Sequence, residues 1–344
     1  MIRSVEFIFR ITRNDADYAM LYPIEGSPPT LTLAESKTIR MAMNGVFADP
    51  GPDVDFLTDR IRPFVVINGT EYPLGVLLPA KVEKIITQTG HHLRIQAYDQ
   101  SWLLQTTATE SEVYFDTGTK YLTAIDSLLE SVGIGLAIVT YNDYSFTRTR
   151  EDWLPGTNYL TIINDLLEEM NYGKIWFNLD GMAVLAPEPD LLTGRVEHIL
   201  DEDDVSSLLI PDGSISNDLY STPNVFVYIC SNFENSLLSA TAINNSLGSP
   251  ISVPRRKRKI YSINQVKDVP SADVLQDIAD KAMNRSLIHT DTITVSTGIL
   301  PGFGLNELVS RKIDGELSVC IERGWNMKMA PGGTMTHRME RLAG

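Results

Sequence analysis

The residues best suited to chemistry are five histidines, and none lies in a pattern typical of catalysis or metal binding. They are His91, His92, His198, His289 and His337, and no HExxH motif contains any of them. His91 and His92 are adjacent and begin a predicted strand, where neighbouring side chains point to opposite faces. Two such residues make a poor chelate, so we predict no metal site.

The acidic run at residues 201–204, DEDD, does not fit a calcium loop. Such a loop needs glycine at its sixth position and glutamate at its twelfth, whereas counting from Asp201 these positions hold Ser206 and Asp212. We interpret the run as a solvated linker that leads into the next domain. Other carboxylates are abundant, but no spacing singles out an acid/base pair.

Motifs for nucleophiles and phosphate binding are missing from the sequence. It contains no GxSxG, no Walker motif and no GxGxxG after a strand. Residues 300–305, LPGFGL, are glycine-rich but include a proline and precede a strand, which favours a turn. We therefore predict no catalytic residue, no metal ligand and no bound cofactor.

The two cysteines, Cys230 and Cys320, stand alone in apolar, strand-like runs. This setting is typical of buried, reduced thiols and indicates a reducing compartment during folding. No apolar run approaches the roughly 20 residues that span a bilayer, so we expect no stable membrane insertion. The first 15 residues alternate apolar and polar side chains, which predicts a first strand and not a signal peptide.

Charge excludes tight, sequence-specific nucleic-acid binding as the main activity. The formal net charge is −15, while nucleic-acid affinity comes mainly from Lys and Arg that neutralise phosphates. An acidic wall nevertheless lets DNA slide past without sticking. One basic cluster follows Pro254 and is a candidate partner-contact loop, with a nucleic-acid patch or localisation signal as the alternative; it comprises Arg255, Arg256, Lys257, Arg258 and Lys259.

Two nearly identical amphipathic helices are predicted in the middle of the chain. GTKYLTAIDSLLESV begins at Gly118 and GTNYLTIINDLLEEM at Gly156, 38 residues later, with nine of fifteen positions identical. Thr119 and Thr157 are the predicted N-caps, and Gly133 and Gly173 the predicted C-terminal caps. The apolar positions recur on one helix face; they are Leu122, Ile125, Leu128, Leu129, Leu160, Ile163, Leu166 and Leu167.

Strands predominate on both sides of these helices. The first segment has short strand-like runs separated by turns, including a hairpin at Asn68-Gly69. A strand follows each duplicated helix, and Asp180-Gly181 predicts another hairpin. After residue 190 strands return, with one helix predicted at 271–287. Two copies are too few for a solenoid.

The predicted fold is therefore α+β and β-dominated. It comprises a first β-barrel at residues 1–108. In an alternative form of this prediction, residues 190–220 complete that barrel. A duplicated helix–strand insert occupies 109–190, and a second barrel with one helix occupies 191–344. The insert helices are expected to pack on each other.

Several ordered segments resemble the baseplate-hub family of bacteriophage tails, including the hub-like N-terminal part of siphophage tail-tip proteins. They extend over nearly the whole chain and are IQAYDQSWLL at 95–104, WLPGTNYL at 153–160, WFNLDG at 176–181, residues 218–228 with the tripeptide PNV, and the last helix with the strands around Pro301 and Gly302. The chain departs from the family where residues 305–309 lack its usual glycine–aspartate pair, and Thr58-Asp59-Arg60 is only a loose counterpart of an earlier one.

The resemblance implies a virion structural protein without a cell-wall hydrolase domain, assembled in the host bacterial cytoplasm. Such hubs are homotrimers whose six tail-tube-like barrels match a hexameric tail tube or distal tail protein. Their other face holds a three-fold spike or tail-tip protein, and DNA or the tape measure passes through the lumen. The alternatives are the hub of a phage-derived contractile injection system and a carbohydrate-active enzyme, which needs a pocket with two acids about 5–10 Å apart.

Overall fold

Strands, many with alternating burial, make up 47% of the protein and helices 16%, so the fold is β-dominated α+β as the sequence predicts. Burial alternates because successive side chains of a strand point to opposite faces. Among the described residues, no helix is both long and apolar enough to cross a bilayer. The computed structural model describes residues 3–14, 16–87, 90–135, 137–187, 194–217, 220–233, 236–287 and 291–341.

The first segment is built from eight strands, and the strands predicted from its sequence are present. Asn68 and Gly69 have φ angles of +50° and +85°, as the predicted two-residue hairpin requires. The strands are β1 (Val5–Arg13), β2 (Ala16–Leu21), β3 (Thr30–Ala34), β4 (Met41–Ala48), β5 (Arg60–Ile67), β6 (Thr70–Pro73), β7 (Leu78–Thr87) and β8 (Gly90–Tyr98).

The middle segment contains both predicted helices, each followed by a short strand. Gly181 has a φ of +86° in the predicted turn between two of these strands. The elements are α1 (Ser101–Thr106), β9 (Val113–Phe115), α2 (Tyr121–Ser131), β10 (Ala137–Val139), β11 (Arg150–Trp153), α3 (Tyr159–Glu169), β12 (Trp176–Phe177) and β13 (Ala183–Leu185).

The last segment returns to strands and contains the predicted long helix. A 3-10 turn at Val205–Ser207 follows its first strand. The elements are β14 (Val196–Asp201), β15 (Leu209–Asn217), β16 (Val225–Phe233), β17 (Ser236–Ile243), α4 (Val253–Arg256), β18 (Tyr261–Val266), α5 (Ala272–Leu287), β19 (Asp291–Gly298), β20 (Leu308–Ile313), β21 (Glu316–Lys328) and β22 (Thr334–Arg341).

A ten-stranded sheet joins the two ends of the chain. Its path is β15-β19-β22-β21-β3-β4-β8-β7, and β20 pairs with both β21 and β14. A four-stranded antiparallel sheet, β2-β1-β5-β6, shares its core, where Phe9 meets Phe47 edge to face at 5.2 Å. The predicted segments 1–108 and 191–344 therefore contribute strands to one sheet and share a core. No closed barrel is found among the described strands, and the division into two barrels stays a prediction.

The first and last segments meet directly along β21. The beginning of β21 pairs with β20 and its end pairs with β3, where Trp325 is opposite Leu33. The change of partner falls at Gly324, whose φ is +145°. A Cβ atom there would lie 2.3 Å from the carbonyl oxygen of Leu33. Only glycine permits this conformation and this approach.

The two copies of the insert are intertwined. The start of α3 pairs with the chain before α2, because Gly156 N–H donates to Thr109 at 2.8 Å. The start of α2 pairs in the same way with the chain before α3, because Gly118 N–H donates to Phe146 at 2.9 Å. β9 and β11 are equivalent under the 38-residue repeat and pair antiparallel with each other. Each copy therefore completes the other.

The predicted helix ends need three corrections. The N-cap of α2 is Lys120, without a side-chain cap, and not Thr119. The N-cap of α3 is Asn158, whose side chain accepts the Thr161 N–H, and not Thr157. Asn158 is the N-cap, one residue after Thr157, because its side-chain oxygen reaches the Thr161 N–H group.

At the C-terminal ends, one glycine prediction is confirmed and the other is wrong. Gly133 has a φ of +79° and donates to Glu130 just after α2. After α3, Asn171 takes the left-handed conformation with a φ of +60°, and Gly173 instead donates to Ala186. Asparagine tolerates this conformation better than most residues.

Both insert helices bury their predicted faces in one core, which confirms that they pack together. Seven of the eight predicted apolar positions are buried there, and Leu122 is half-buried at its edge. Trp153 and Tyr121 join them, and Leu104 of α1 contributes from outside the predicted boundary.

A third core lies between α5 and a three-stranded sheet, which together we call the α5 unit. β16 is antiparallel to β17 and parallel to β18. α5 covers one face of this sheet through residues such as Leu275 and Ile278, which cluster with Cys230. Cys230 and Cys320 are buried free thiols, as predicted, and burial raises the pKa of Cys320.

Leu166→Asp is expected to unfold the insert, because Leu166 is completely buried and a carboxylate there has no partner. We expect a loss of about 4 kcal/mol or more in the free energy of unfolding. Urea denaturation followed by circular dichroism measures this loss. The exposed Thr123→Asp on α2 introduces the same group and serves as control; equal midpoints for the two variants would contradict the packing of α3.

Candidate assembly surfaces

A buried ion network fixes the insert to the α5 unit. Arg150 of β11 donates from Nη1 and Nη2 to the two carboxylate oxygens of Glu169 in α3, at 2.6 and 2.8 Å. Asp152 accepts hydrogen bonds from both Arg148 and Arg150. Arg148 Nε also lies 3.1 Å from Asp268, just after β18. The network thus spans the insert and reaches the neighbouring unit.

The protonation states follow from burial and from these partners. Burial raises the pKa of Glu169, and the paired bonds from Arg150 oppose that rise. Burial opposes the charge of Arg150, yet Glu169 and Asp152 raise its pKa. Because a guanidinium keeps its proton in proteins, the bidentate geometry supports an ionised pair. Such a pair fixes the relative orientation of the two side chains more than it adds to the free energy of unfolding.

Two further contacts join the same bodies. Asp165 of α3 accepts from Lys267 Nζ at 2.7 Å and from Trp153 Nε1 at 2.9 Å. Lys281 of α5 donates to the backbone oxygen of Asn171 at 3.2 Å. The insert is therefore held to the α5 unit at three places, all polar.

The basic cluster, residues 255–259, begins in a short helical turn and continues as the exposed loop that we predicted. Its first two residues end α4. Arg256 Nη1 donates to the backbone oxygen of Thr222 at 2.6 Å, and Arg258 Nη2 donates to that of Tyr220 at 2.7 Å. These two arginines hold the preceding segment in place, whereas Arg255, Lys257 and Lys259 expose their side chains to solvent. Its role as a partner contact stays a prediction.

An exposed apolar strand edge lies next to the basic cluster. β18 is an edge strand of its sheet among the described residues. Tyr261 and Ile263 are 55% and 65% exposed on the face away from α5, and Tyr220 is 78% exposed. Exposed strand edges with apolar side chains commonly pair with another chain. Sequence reasoning missed this feature because its pattern did not show which face α5 covers.

The acidic run at 201–204 is largely exposed to solvent, as predicted, and in addition it binds a distant turn of the chain. Glu202 accepts the backbone N–H groups of Asp314 and Gly315, each at 2.7 Å. Lys312 forms an ion pair with Asp203. The run therefore closes the turn between β20 and β21, which lies more than 100 residues away in sequence.

A cavity of about 1040 Å³ lies between the start of β1 and residues 202–210. Its acidic lining includes Glu6, Glu202 and Asp204. Glu202 is engaged by the backbone of the β20–β21 turn, and hydrogen bonds from Ser206 lower the pKa of Asp204. A general acid needs a raised pKa. Glu202 and Asp204 therefore do not form the carboxylate pair of a glycosidase site.

Two histidines lie beside carboxylates, which the sequence patterns did not reveal. His337 lies 2.9 Å from Glu322 through Nδ1 and 3.1 Å from Thr297 Oγ1 through Nε2, and all three side chains are fully buried. His198 Nε2 lies 2.8 Å from Glu307. Burial raises the pKa of Glu322, and His337 opposes this rise. The threonine–histidine–glutamate order resembles a catalytic triad, but full burial makes it a core hydrogen-bond network.

The other predicted site residues lie apart from these clusters. His91 and His92 are in β8, where His91 is exposed, and His289 is outside the described residues. Within the described ranges, no group of three or more His, Cys, Asp or Glu side chains is placed to bind a metal ion. Only the strand register could have indicated the His337–Glu322 pair, because 15 residues separate its members.

Comparison with solved structures shows the fold. A tail protein from Neisseria meningitidis matches with a TM-score of 0.69 at 13% identity, over 97% of this chain and 96% of that chain. A 43 kDa prophage tail protein from Shewanella oneidensis matches with a TM-score of 0.64 at 11% identity, over 98% of both chains. An E. coli component of the type VI secretion system, described as similar to T4 bacteriophage tail proteins, matches with a TM-score of 0.52 at 7% identity, over 97% of this chain and 77% of that one.

No family model and no curated protein sequence matches the chain. The resemblance to phage tail and hub proteins is therefore confirmed as a shared fold. With identities of 7–13%, it is the arrangement of elements that is similar and not the individual side chains.

Glu169→Leu is expected to lower the free energy of unfolding by about 3–5 kcal/mol, because it leaves Arg150 buried without its main partner. The double variant Arg150→Met/Glu169→Leu should lose less, since no buried charge is stranded. Chemical denaturation of the three proteins measures both values. Glu83→Leu, which breaks the exposed Arg94–Glu83 pair, is the matched control and should cost about 0–1 kcal/mol. A double variant with a lower free energy of unfolding than Glu169→Leu would contradict this account.

Proposed function

We propose that the protein is a structural subunit of a phage-type tail or baseplate hub. The observation that supports this most strongly is the end-to-end match with a tail protein, over 97% of this chain and 96% of that one. A match of this extent covers both sheets, the insert and the α5 unit. The proposed location is the virion tail, after assembly in the host cytoplasm.

The proposed assembly is a homotrimer in which each subunit supplies two related β units. Three subunits then present six units to a hexameric tail tube or distal tail protein, while the other end keeps three-fold symmetry for a spike or tip. The ten-stranded and four-stranded sheets provide the β structure that this arrangement needs. The shared strand β21 makes the two ends of each subunit rigid with respect to each other.

The proposed contact between subunits is the basic cluster together with the β18 edge. In a chain of net charge −15, a concentrated positive patch has complementary charge available on a second copy, which carries an excess of acidic residues. Tyr261 and Ile263 lie nearby and supply apolar area that the monomer leaves exposed. Electrostatic complementarity of this kind fixes orientation and speeds association more than it adds affinity.

The same net charge supports an acidic lumen. DNA and an acidic wall repel each other, so the polymer passes without lasting contacts. The tape-measure protein is a further proposed occupant of this channel.

A second candidate is the hub of a phage-derived contractile injection system. The E. coli type VI secretion component among the fold neighbours favours it. Both candidates use the same architecture and the same subunit contacts. The genes that flank the coding sequence distinguish them.

Purified protein, alone or with its tail partners, is expected to form a three-fold ring with a tube-sized pore. Light scattering after size exclusion gives the mass, and negative-stain images give the symmetry. A stable monomer in the presence of its tail partners would rule out the hub.

Reversing charge in the basic cluster should weaken the ring. We expect Arg255→Glu/Lys257→Glu/Lys259→Glu to shift the mass toward monomer at low salt, while Lys81→Glu/Lys84→Glu/Lys328→Glu, which reverses three charges elsewhere, does not. A ring that survives the first set and is lost with the second would place the contact elsewhere.

Incubation with peptidoglycan fragments is expected to release no soluble sugar, because Glu202 and Asp204 of the cavity between β1 and residues 202–210 are engaged in structural hydrogen bonds. Chromatography of the supernatant with reducing-sugar detection measures this. Release that disappears in Glu202→Gln would instead establish the enzyme alternative.

A further inference from the structure

A cavity of about 380 Å³ with a strongly cationic lining lies where the three cores of the protein meet. Lys37 and Arg40 come from the connection between β3 and β4, Lys174 from the insert and Arg285 from α5. Glu35 is the single acidic side chain of this lining. We call this space the cationic cavity.

Its charge is opposite to that of the whole chain. Four cationic groups face one carboxylate, while the protein carries a formal charge of −15. Like charges brought together at one site repel each other, although solvent screens the exposed Lys37, Lys174 and Arg285 more than the buried Arg40. An arrangement of this kind is stabilised when an anion occupies the space between the cations.

Arg40 is the residue that points to a ligand. It is only 7% exposed, and its guanidinium forms no hydrogen bond or ion pair with the described residues. Burial lowers the pKa of Arg40, and Glu35 and Asp99 oppose this effect at longer range. Buried arginine side chains are normally paired with an acceptor, whereas the Arg40 nitrogens face the adjoining cavities without a partner among the described residues. The guanidinium lines the cationic cavity and also the adjoining cavity of about 340 Å³.

We propose that the cationic cavity binds a small oxyanion that carries at least two negative charges, with Arg40 as its central ligand. A guanidinium presents parallel N–H groups that match either a phosphate or a carboxylate group in bidentate fashion. Lys174 of the insert and Arg285 of α5 line the same cavity from the other two bodies. The volume lies within the usual range for small-ligand sites.

The site has a structural consequence beyond binding. Because its cations come from the main sheet, the insert and α5, a bound oxyanion joins all three. The ligand therefore acts as a clip at the junction, in addition to the polar contacts that hold the insert to the α5 unit.

Isothermal titration calorimetry on the full chain tests the proposal with two probes, inorganic pyrophosphate and citrate, at constant ionic strength. Pyrophosphate represents phosphate ligands, and citrate represents carboxylate ligands. We expect one of them to bind, with Kd raised about tenfold or more in Arg40→Met and in Lys174→Met. Lys174 is exposed, so this second variant keeps the fold even if the buried substitution does not.

Lys81→Met is the matched control, because it removes one exposed positive charge far from this cavity in sequence and should leave Kd unchanged. Absence of binding by both probes, or equal binding by wild type and the Lys174→Met variant, would overturn the proposal. The measurement concerns the unassembled chain, so its result does not depend on whether the protein forms a hub.

Discussion

The pairing of β3 with β21 is the interaction on which the rest of the structure depends. It joins residues 290 or more positions apart, such as Leu33 and Trp325, and therefore brings the two ends of the chain into one sheet. Closing so long a loop has an entropic cost, which rises only slowly with length. The shared core around both sheets offsets it through apolar burial. Trp325 adds a hydrogen bond from Nε1 to Phe303 at 2.8 Å. Without this pairing, neither end of the chain has a complete sheet.

A topology of this kind explains why the ends are not separate domains. β21 pairs with β20, β22 and β3 along its 13 residues, and Gly324 is the point at which the partner changes. Folds dominated by such distant pairings form slowly, because many residues must be ordered before the pairing contributes stabilising contacts. The insert differs, because its contacts are local and both copies of its repeat lie within about 80 residues. We infer that the insert can fold before the main sheet closes.

Local patterns in the sequence predicted the elements well and their partners poorly. The 38-residue repeat identified both insert helices, and alternation identified the strands around them. Neither pattern could show that Gly156 pairs with Thr109 and Gly118 with Phe146, because periodicity reports which face is apolar and not what covers it. The same limit applies to polar residues. The basic cluster is contiguous and was visible, whereas Arg150–Glu169 and His337–Glu322 come together only through tertiary packing.

The distribution of charge unites the proposed assembly with the inferred ligand. The chain has an excess of acidic residues, with a net charge of −15, which suits the proposed channel wall, while the basic cluster and the cationic cavity each bring several cations together. The basic cluster lies on the outside, where a second subunit can neutralise it, whereas Arg40 lies inside, where only a small group fits. The bodies around Arg40 are joined by apolar packing, since Trp176 and Leu179 of the insert pack against the core of the main sheet, and by polar contacts such as Lys267–Asp165. An oxyanion held among them adds attraction between the cations that line the cavity. We therefore expect occupancy of this cavity to strengthen the hold of the main sheet on the insert and the α5 unit.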